Sequence, residues 1–124
     1  MPGSSDYYLG GITAYANQTK ITLLGVQAKT LEQHGAVSRE TALEMAEGVR
    51  RALSADIGLS ITGIAGPGGG TTAKPVGLTW IGLSVAGSNQ AWRYVWGGDR
   101  LAVKEQSAEQ ALKLVAAYLK NLPR

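Results

Sequence analysis

The sequence predicts an α/β domain in which a sheet is covered by helices on both faces. Three observations carry that expectation. An apolar run, Ile57-Gly58-Leu59-Ser60-Ile61, has the length of a buried strand and empties into a glycine-rich loop. Residues Gln90 to Trp96 alternate strictly, with Trp92, Tyr94 and Trp96 on one side and Ala91, Arg93 and Val95 on the other. Apolar residues also recur at helical spacing after Ser38 and after Leu101. The resulting order is strand, helices, three strands, helix, which suits a layered α/β fold.

The elements follow in chain order. Tyr7 to Ala16 is rich in β-branched and aromatic residues and reads as a strand, bent or closely approached at Gly10-Gly11. Lys20 to Leu24 is a short helical turn ending at Gly25, and Ala28 to Gln33 is a second ending near Gly35. Ser38 is the N-cap of a longer helix whose core face is Ala42, Met45, Ala46, Val49 and Leu53. Arg50 and Arg51 lie late in that helix, where cations suit the dipole. Strands are expected over Ile57–Ile64 and Val76–Ala86, with a hairpin-like turn at Gly87-Ser88-Asn89. A final helix runs from about Leu101 to Asn121 and presents Ala108, Ala111, Leu112, Val115, Leu119 and Leu122 to the core.

Composition narrows the function. The chain has 124 residues, 44% hydrophobic and 17% charged, which fits one globular domain with a core of its own. With no cysteine, disulfide and thiol chemistry are excluded. The single histidine, His34, rules out a multi-histidine metal site and reads as a helix-end residue. The net charge of +3 comes from scattered basic residues rather than a stripe or tail, so it argues weakly for an anionic ligand and hardly for nucleic acid. The Trp92/Tyr94/Trp96 row is either a base-stacking platform or, more commonly, a surface packed under a helix. No apolar run crosses a bilayer and no export signal opens the chain, so a cytoplasmic protein without membrane partners is expected.

The loop from Gly63 to Gly70 holds five glycines in eight residues and is followed by Lys74-Pro75-Val76-Gly77. Such loops can turn several N–H groups toward an anion, and the lysine adds a cation. The pattern matches neither the dinucleotide-binding nor the P-loop spacing. Composition alone leaves two readings open, an anion-binding loop and a long connection between strands.

Specific motifs then add to this reading. Pro2-Gly3-Ser4-Ser5, Gly10-Gly11-Ile12-Thr13-Ala14-Tyr15-Ala16-Asn17 with Lys20, Leu24-Gly25-Val26, His34-Gly35-Ala36-Val37-Ser38, Thr62 to Gly77, and Gly98-Asp99-Arg100 together cover almost the whole chain. In these the chain resembles the C-terminal domain of the CinA family, whose members include nicotinamide mononucleotide deamidases. The resemblance implies a three-layer α/β/α sandwich with a mixed sheet. It also implies hydrolysis of the carboxamide of nicotinamide mononucleotide to nicotinic acid mononucleotide and ammonia.

By the same resemblance, Ser5 is the nucleophile and Lys20 its base. A serine hydroxyl attacks only when a neighbouring base takes its proton, and lysine serves only when its pKa is held well below ~10.4. Substrate-binding candidates are Tyr15 and Asn17 at the nicotinamide, with Thr62, Gly66, Gly68, Gly69 and Arg100 at the phosphate. Arg100 has a second reading, as a partner of Asp99 at a helix start. The implied chemistry needs no metal and no organic cofactor.

Members of the family normally carry a further segment ahead of the Pro-Gly-Ser-Ser turn, with a strand, two helices and a motif whose serine completes the catalytic group. It is absent from these 124 residues, as is the partner domain of the full-length proteins. The expectation is therefore an uncovered apolar face and sheet edge, buried by self-association as a homo-oligomer. The alternative function is a non-catalytic nucleotide-binding or assembly module derived from the same domain.

Overall fold

The computed structural model describes residues 24–121. The expected strand over Tyr7–Ala16 lies outside that range, as does the helical turn over Lys20–Leu24 apart from Leu24. Within it run α1 (Ala28–His34), α2 (Arg39–Ala52), β1 (Ile57–Gly63), β2 (Leu78–Val85), β3 (Ser88–Val95) and α3 (Arg100–Lys120). The three strands form one sheet in sequence order, and every pair is antiparallel.

Helix α1 stops where expected, because Gly35 adopts φ 81° as its C-cap and so provides a left-handed exit. Its N-cap, Gln27, makes no side-chain cap. Glu44 of α2 supplies the negative charge instead, accepting from the Gln27 N–H (2.7 Å) and the Thr30 hydroxyl (2.6 Å). Helix α2 starts at the cap the sequence marks, with Ser38 Oγ accepting from the Thr41 N–H at 3.2 Å. Ala42, Met45 and Ala46 are buried, Val49 and Leu53 half-buried. Met45 packs with Leu24 and Val26 in a small core that Leu31 and Val49 border.

Helix α2 lies almost in backbone contact with the sheet. Gly58, Ser60 and Thr62 of β1, with Gly82 of β2, make up the strand surface beneath it. A Cβ on Gly58 would fall 2.0 Å from the Ala46 carbonyl oxygen, and one on Gly82 would fall 2.5 Å from that of Ala42. Ser60 Oγ donates to the Ala42 carbonyl at 2.7 Å, closing the gap with a hydrogen bond. The small residues of the run Ile57–Ile61 are thus its most buried part, while Ile61 on the other side is 41% exposed. Sequence hydrophobicity points to the wrong face here, because the close helix leaves room only for hydrogen and hydroxyl side chains.

The opposite face carries α3. Asp99 caps this helix by accepting from the Ala102 N–H at 2.9 Å, and Gln110 donates to the Tyr94 hydroxyl at 3.3 Å. Tyr94 stacks on Trp96 with ring centroids 4.8 Å apart, and both rings are half-buried. The aromatic row therefore packs beside a helix, the second of the two readings open for it.

Three sequence expectations are corrected. Strand β2 begins at Leu78 rather than Val76, because Gly77 (φ 96°) turns the chain beneath the Trp96 carbonyl. The turn between β2 and β3 is the pair Ala86-Gly87, and Ser88 and Asn89 already belong to β3, opposite Val85 and Ser84. In α3 Ala111 is buried as expected, but it is joined by Val103 and Ser107, whereas Ala108, Leu112 and Leu119 are exposed and Val115 is half-buried. The helix is apolar on two sides, so periodicity alone selects the wrong one; Leu122 lies outside the described residues.

Candidate functional site

The glycine loop connects β1 to β2 and is anchored at both ends. The ladder continues past the strands, with the Ile64 N–H on the Leu78 carbonyl (2.9 Å) and the Gly77 N–H on that of Ile64 (2.7 Å). Beyond this base the loop widens. Gly66 is buried at φ 85°, with Val76 Cγ1 only 2.6 Å from where a Cβ would stand. A second turn is closed by the Thr71 N–H on the Lys74 carbonyl (2.8 Å) and the Lys74 N–H on Thr71 Oγ1 (3.0 Å). Between them, Gly68 and Gly69 are exposed, and nothing stands within 4 Å of a Cβ position on Gly68. Among the described residues, no acceptor takes the N–H groups of Gly68, Gly69 or Gly70.

Two basic side chains pin the loop to the helical layers. Arg100, the first residue of α3, donates from Nη1 to the Gly66 carbonyl at 3.2 Å. Neither sequence reading of Arg100, the phosphate contact or the Asp99 pairing, included this bond. Asp99 is occupied in capping the helix, and Arg100 holds the loop backbone with one of its five donors. Lys74 reaches across from the end of the loop to donate to the His34 carbonyl at the end of α1. His34 is the helix-end residue expected, its Nδ1 3.7 Å from Glu40 Oε2 on the exposed surface.

Thr62 is buried on the α2 side of β1, and its hydroxyl donates to the Ala36 carbonyl at 2.7 Å. That bond fixes the segment between α1 and α2 against the strand that enters the loop. The hydroxyl oxygen keeps its acceptor capacity but has spent its one proton. Of the predicted set, the structure brings Gly66 and Arg100 together and leaves Gly68 and Gly69 open beside them. Ser5, Lys20, Tyr15 and Asn17 lie outside the described residues.

Sequence reasoning missed a second concavity. An open cleft of about 280 Å³ lies between the start of α2 and the end of the loop, lined by His34, Arg39, Lys74, Trp80 and Arg93 among others. Its basic groups come from α1, α2, the loop and β3, so no local pattern announces them. Only Lys74 carried a signal, as the cation before the Pro75 turn. No helix among the described residues is long and apolar enough to cross a membrane.

The sequence model of the CinA C-terminal domain matches residues 1–119. A putative competence-damage inducible protein of Moorella thermoacetica is 50% identical over 93% of this chain, and a CinA-like protein of Salinibacter ruber is 52% identical over 90% of it. The chain spans only 28% and 27% of those two relatives. Among solved structures, competence damage-inducible protein A of Klebsiella pneumoniae superposes with a TM-score of 0.93 at 28% identity, covering 99% of this chain and 76% of that one. The competence/damage inducible protein of Agrobacterium tumefaciens does so with a TM-score of 0.81 at 38% identity, over 84% of this chain and 64% of that one. The family match over nearly the full length, with this fold agreement, identifies the chain as a member of the CinA C-terminal domain family.

Proposed function

We propose that this domain hydrolyses the carboxamide of nicotinamide mononucleotide, as a cytoplasmic enzyme of pyridine nucleotide salvage. The observation that carries the reading is the glycine loop, held by Arg100 at its base and open at Gly68 and Gly69, with N–H groups that no described acceptor claims. Backbone N–H groups of a glycine loop beside a guanidinium suit a phosphate monoester. Family membership over residues 1–119 adds support, since that span includes Ser5, Lys20 and the whole loop.

In this reading Ser5 Oγ attacks the carboxamide carbon while neutral Lys20 takes the hydroxyl proton. The tetrahedral oxyanion collapses, Lys20 returns the proton to the departing nitrogen, and ammonia leaves. Water then attacks the acyl-serine, with Lys20 again as base, to release nicotinic acid mononucleotide. Tyr15 and Asn17 line the nicotinamide pocket, Thr62 supports the phosphate end, and no metal or organic cofactor takes part.

One observation favours a second reading, a nucleotide-binding or assembly module without turnover. The Thr62 hydroxyl and one Arg100 donor are already spent on backbone carbonyls. The test is ammonia release from nicotinamide mononucleotide, beside calorimetric binding of the same nucleotide. Turnover lost by at least about a thousandfold in Ser5→Ala and Lys20→Ala supports the hydrolase. Binding without ammonia establishes the second reading, and turnover unchanged in both variants refutes the Ser–Lys assignment.

A further inference from the structure

The open cleft beside α2 is floored by a rung of the sheet that the helix leaves uncovered. Ser60, Gly82 and Ala91 pair across the three strands, and the Ala42 carbonyl oxygen of α2 stands 2.5 Å from a Cβ position on Gly82. Two residues nearer the glycine loop, the next rung on that face is Thr62, Trp80 and Arg93. Helix α2 begins at Arg39, so Trp80 and Arg93 border open space there. Trp80 is half-buried and Arg93 is exposed. The first turn of α2 and the end of the loop wall the cleft, whose volume is about 280 Å³.

Charge selects the occupant. Arg39, Lys74 and Arg93 line this space against one carboxylate, Glu40, which lies 3.7 Å from His34 Nδ1. Among the described residues none of the three cations pairs with a carboxylate. Arg39 Nη1 donates to the Ala91 carbonyl at 3.4 Å, and Lys74 Nζ donates to that of His34. A backbone carbonyl holds such a group in place without cancelling its charge, and most of its donors stay open. A cleft lined by one sign of charge concentrates ions of the other. An apolar segment laid here would instead bury cations without partners, which is costly. Guanidinium groups bind phosphate in two-pronged fashion, and an indole stacks on a planar base.

We propose that this cleft binds a second nucleotide, a nucleoside monophosphate, with its phosphate on Arg39 and Arg93 and its base against Trp80. The volume lies at the small end of ligand pockets, roughly 300–1,000 Å³, and suits one nucleotide rather than a dinucleotide. Arg100, which holds the glycine loop, opens the helix on the opposite face of the sheet, so the two sites call on different cations.

The test is isothermal titration calorimetry of the full 124-residue chain with AMP at low ionic strength, where such contacts are least screened. AMP has no carboxamide, so the result does not depend on deamidation. The expected result is saturable binding that Arg93→Gln and Trp80→Leu each weaken by at least about tenfold with unchanged circular dichroism. Arg93 is exposed, so its exchange carries the test if Trp80→Leu does not fold. Adenosine and inorganic phosphate should each bind at least about tenfold more weakly than AMP. Three results overturn the proposal. One is no binding of AMP, as when another part of the chain fills the cleft. Another is binding that survives Arg93→Gln, and its loss in Arg100→Gln would put the nucleotide on the glycine loop instead. The third is inorganic phosphate binding as tightly as AMP, which would leave the base and Trp80 without a role.

Discussion

Gly82→Ala tests the close packing of α2 on the sheet more directly than any other change. The new Cβ would lie 2.5 Å from the Ala42 carbonyl oxygen and 2.6 Å from Ser60 Oγ, about 0.9 Å short of ordinary contact. Gly82 sits in the central strand, paired on both sides with Ser60 and Ala91, so the strand cannot move away. The helix must rise instead, and the Ser60–Ala42 hydrogen bond of 2.7 Å is the first link to break. Overpacking of this kind costs about 1–3 kcal/mol. A buried hydroxyl left without a partner adds about 1–3 kcal/mol.

The expected loss is therefore about 2–6 kcal/mol, a large share of the 5–15 kcal/mol that holds a typical domain folded. Urea unfolding followed by tryptophan fluorescence reads it as a lowered midpoint at unchanged slope. Gly68→Ala is the control, because nothing stands within 4 Å of its Cβ position. It should change stability by less than about 0.5 kcal/mol. A Gly82→Ala protein within about 0.5 kcal/mol of the parent would refute the argument that α2 is held at backbone contact.

Other perturbations separate the remaining contacts. Ser38→Ala removes the acceptor for the Thr41 N–H and the donor to the Gly35 carbonyl, and should lower stability by about 1 kcal/mol in the same urea assay. Arg100→Gln removes the charge and the bond to the Gly66 carbonyl. If the loop binds the phosphate, KM for nicotinamide mononucleotide should rise about tenfold, the equivalent of about 1.4 kcal/mol, with little change in melting temperature. An unchanged KM would remove Arg100 from the site.

Much of the architecture was legible from residues a few positions apart. Ser38 announced the start of α2, Gly35 the end of α1, and the alternation from Gln90 to Trp96 announced β3. These are local signals, because caps and periodicity depend on backbone geometry over one or two turns. The fold class followed from them, and the motifs from Thr62 to Gly77 identified the loop as the part to watch.

What the sequence determined by itself, then, was the kind and order of the elements, the glycine loop and the family. Only the tertiary structure decided which faces are buried. Gly58, Ser60 and Thr62 lie under α2 while Ile61 is exposed, since the distance of approach sets which side chains fit between helix and sheet. In α3 Ala108, Leu112 and Leu119 looked like core but are exposed. Both sides of that helix satisfy the same period, and only the position of the sheet chooses between them. The partner of Arg100 was likewise invisible, because a bond to the Gly66 carbonyl joins residues 34 apart that the fold alone brings together.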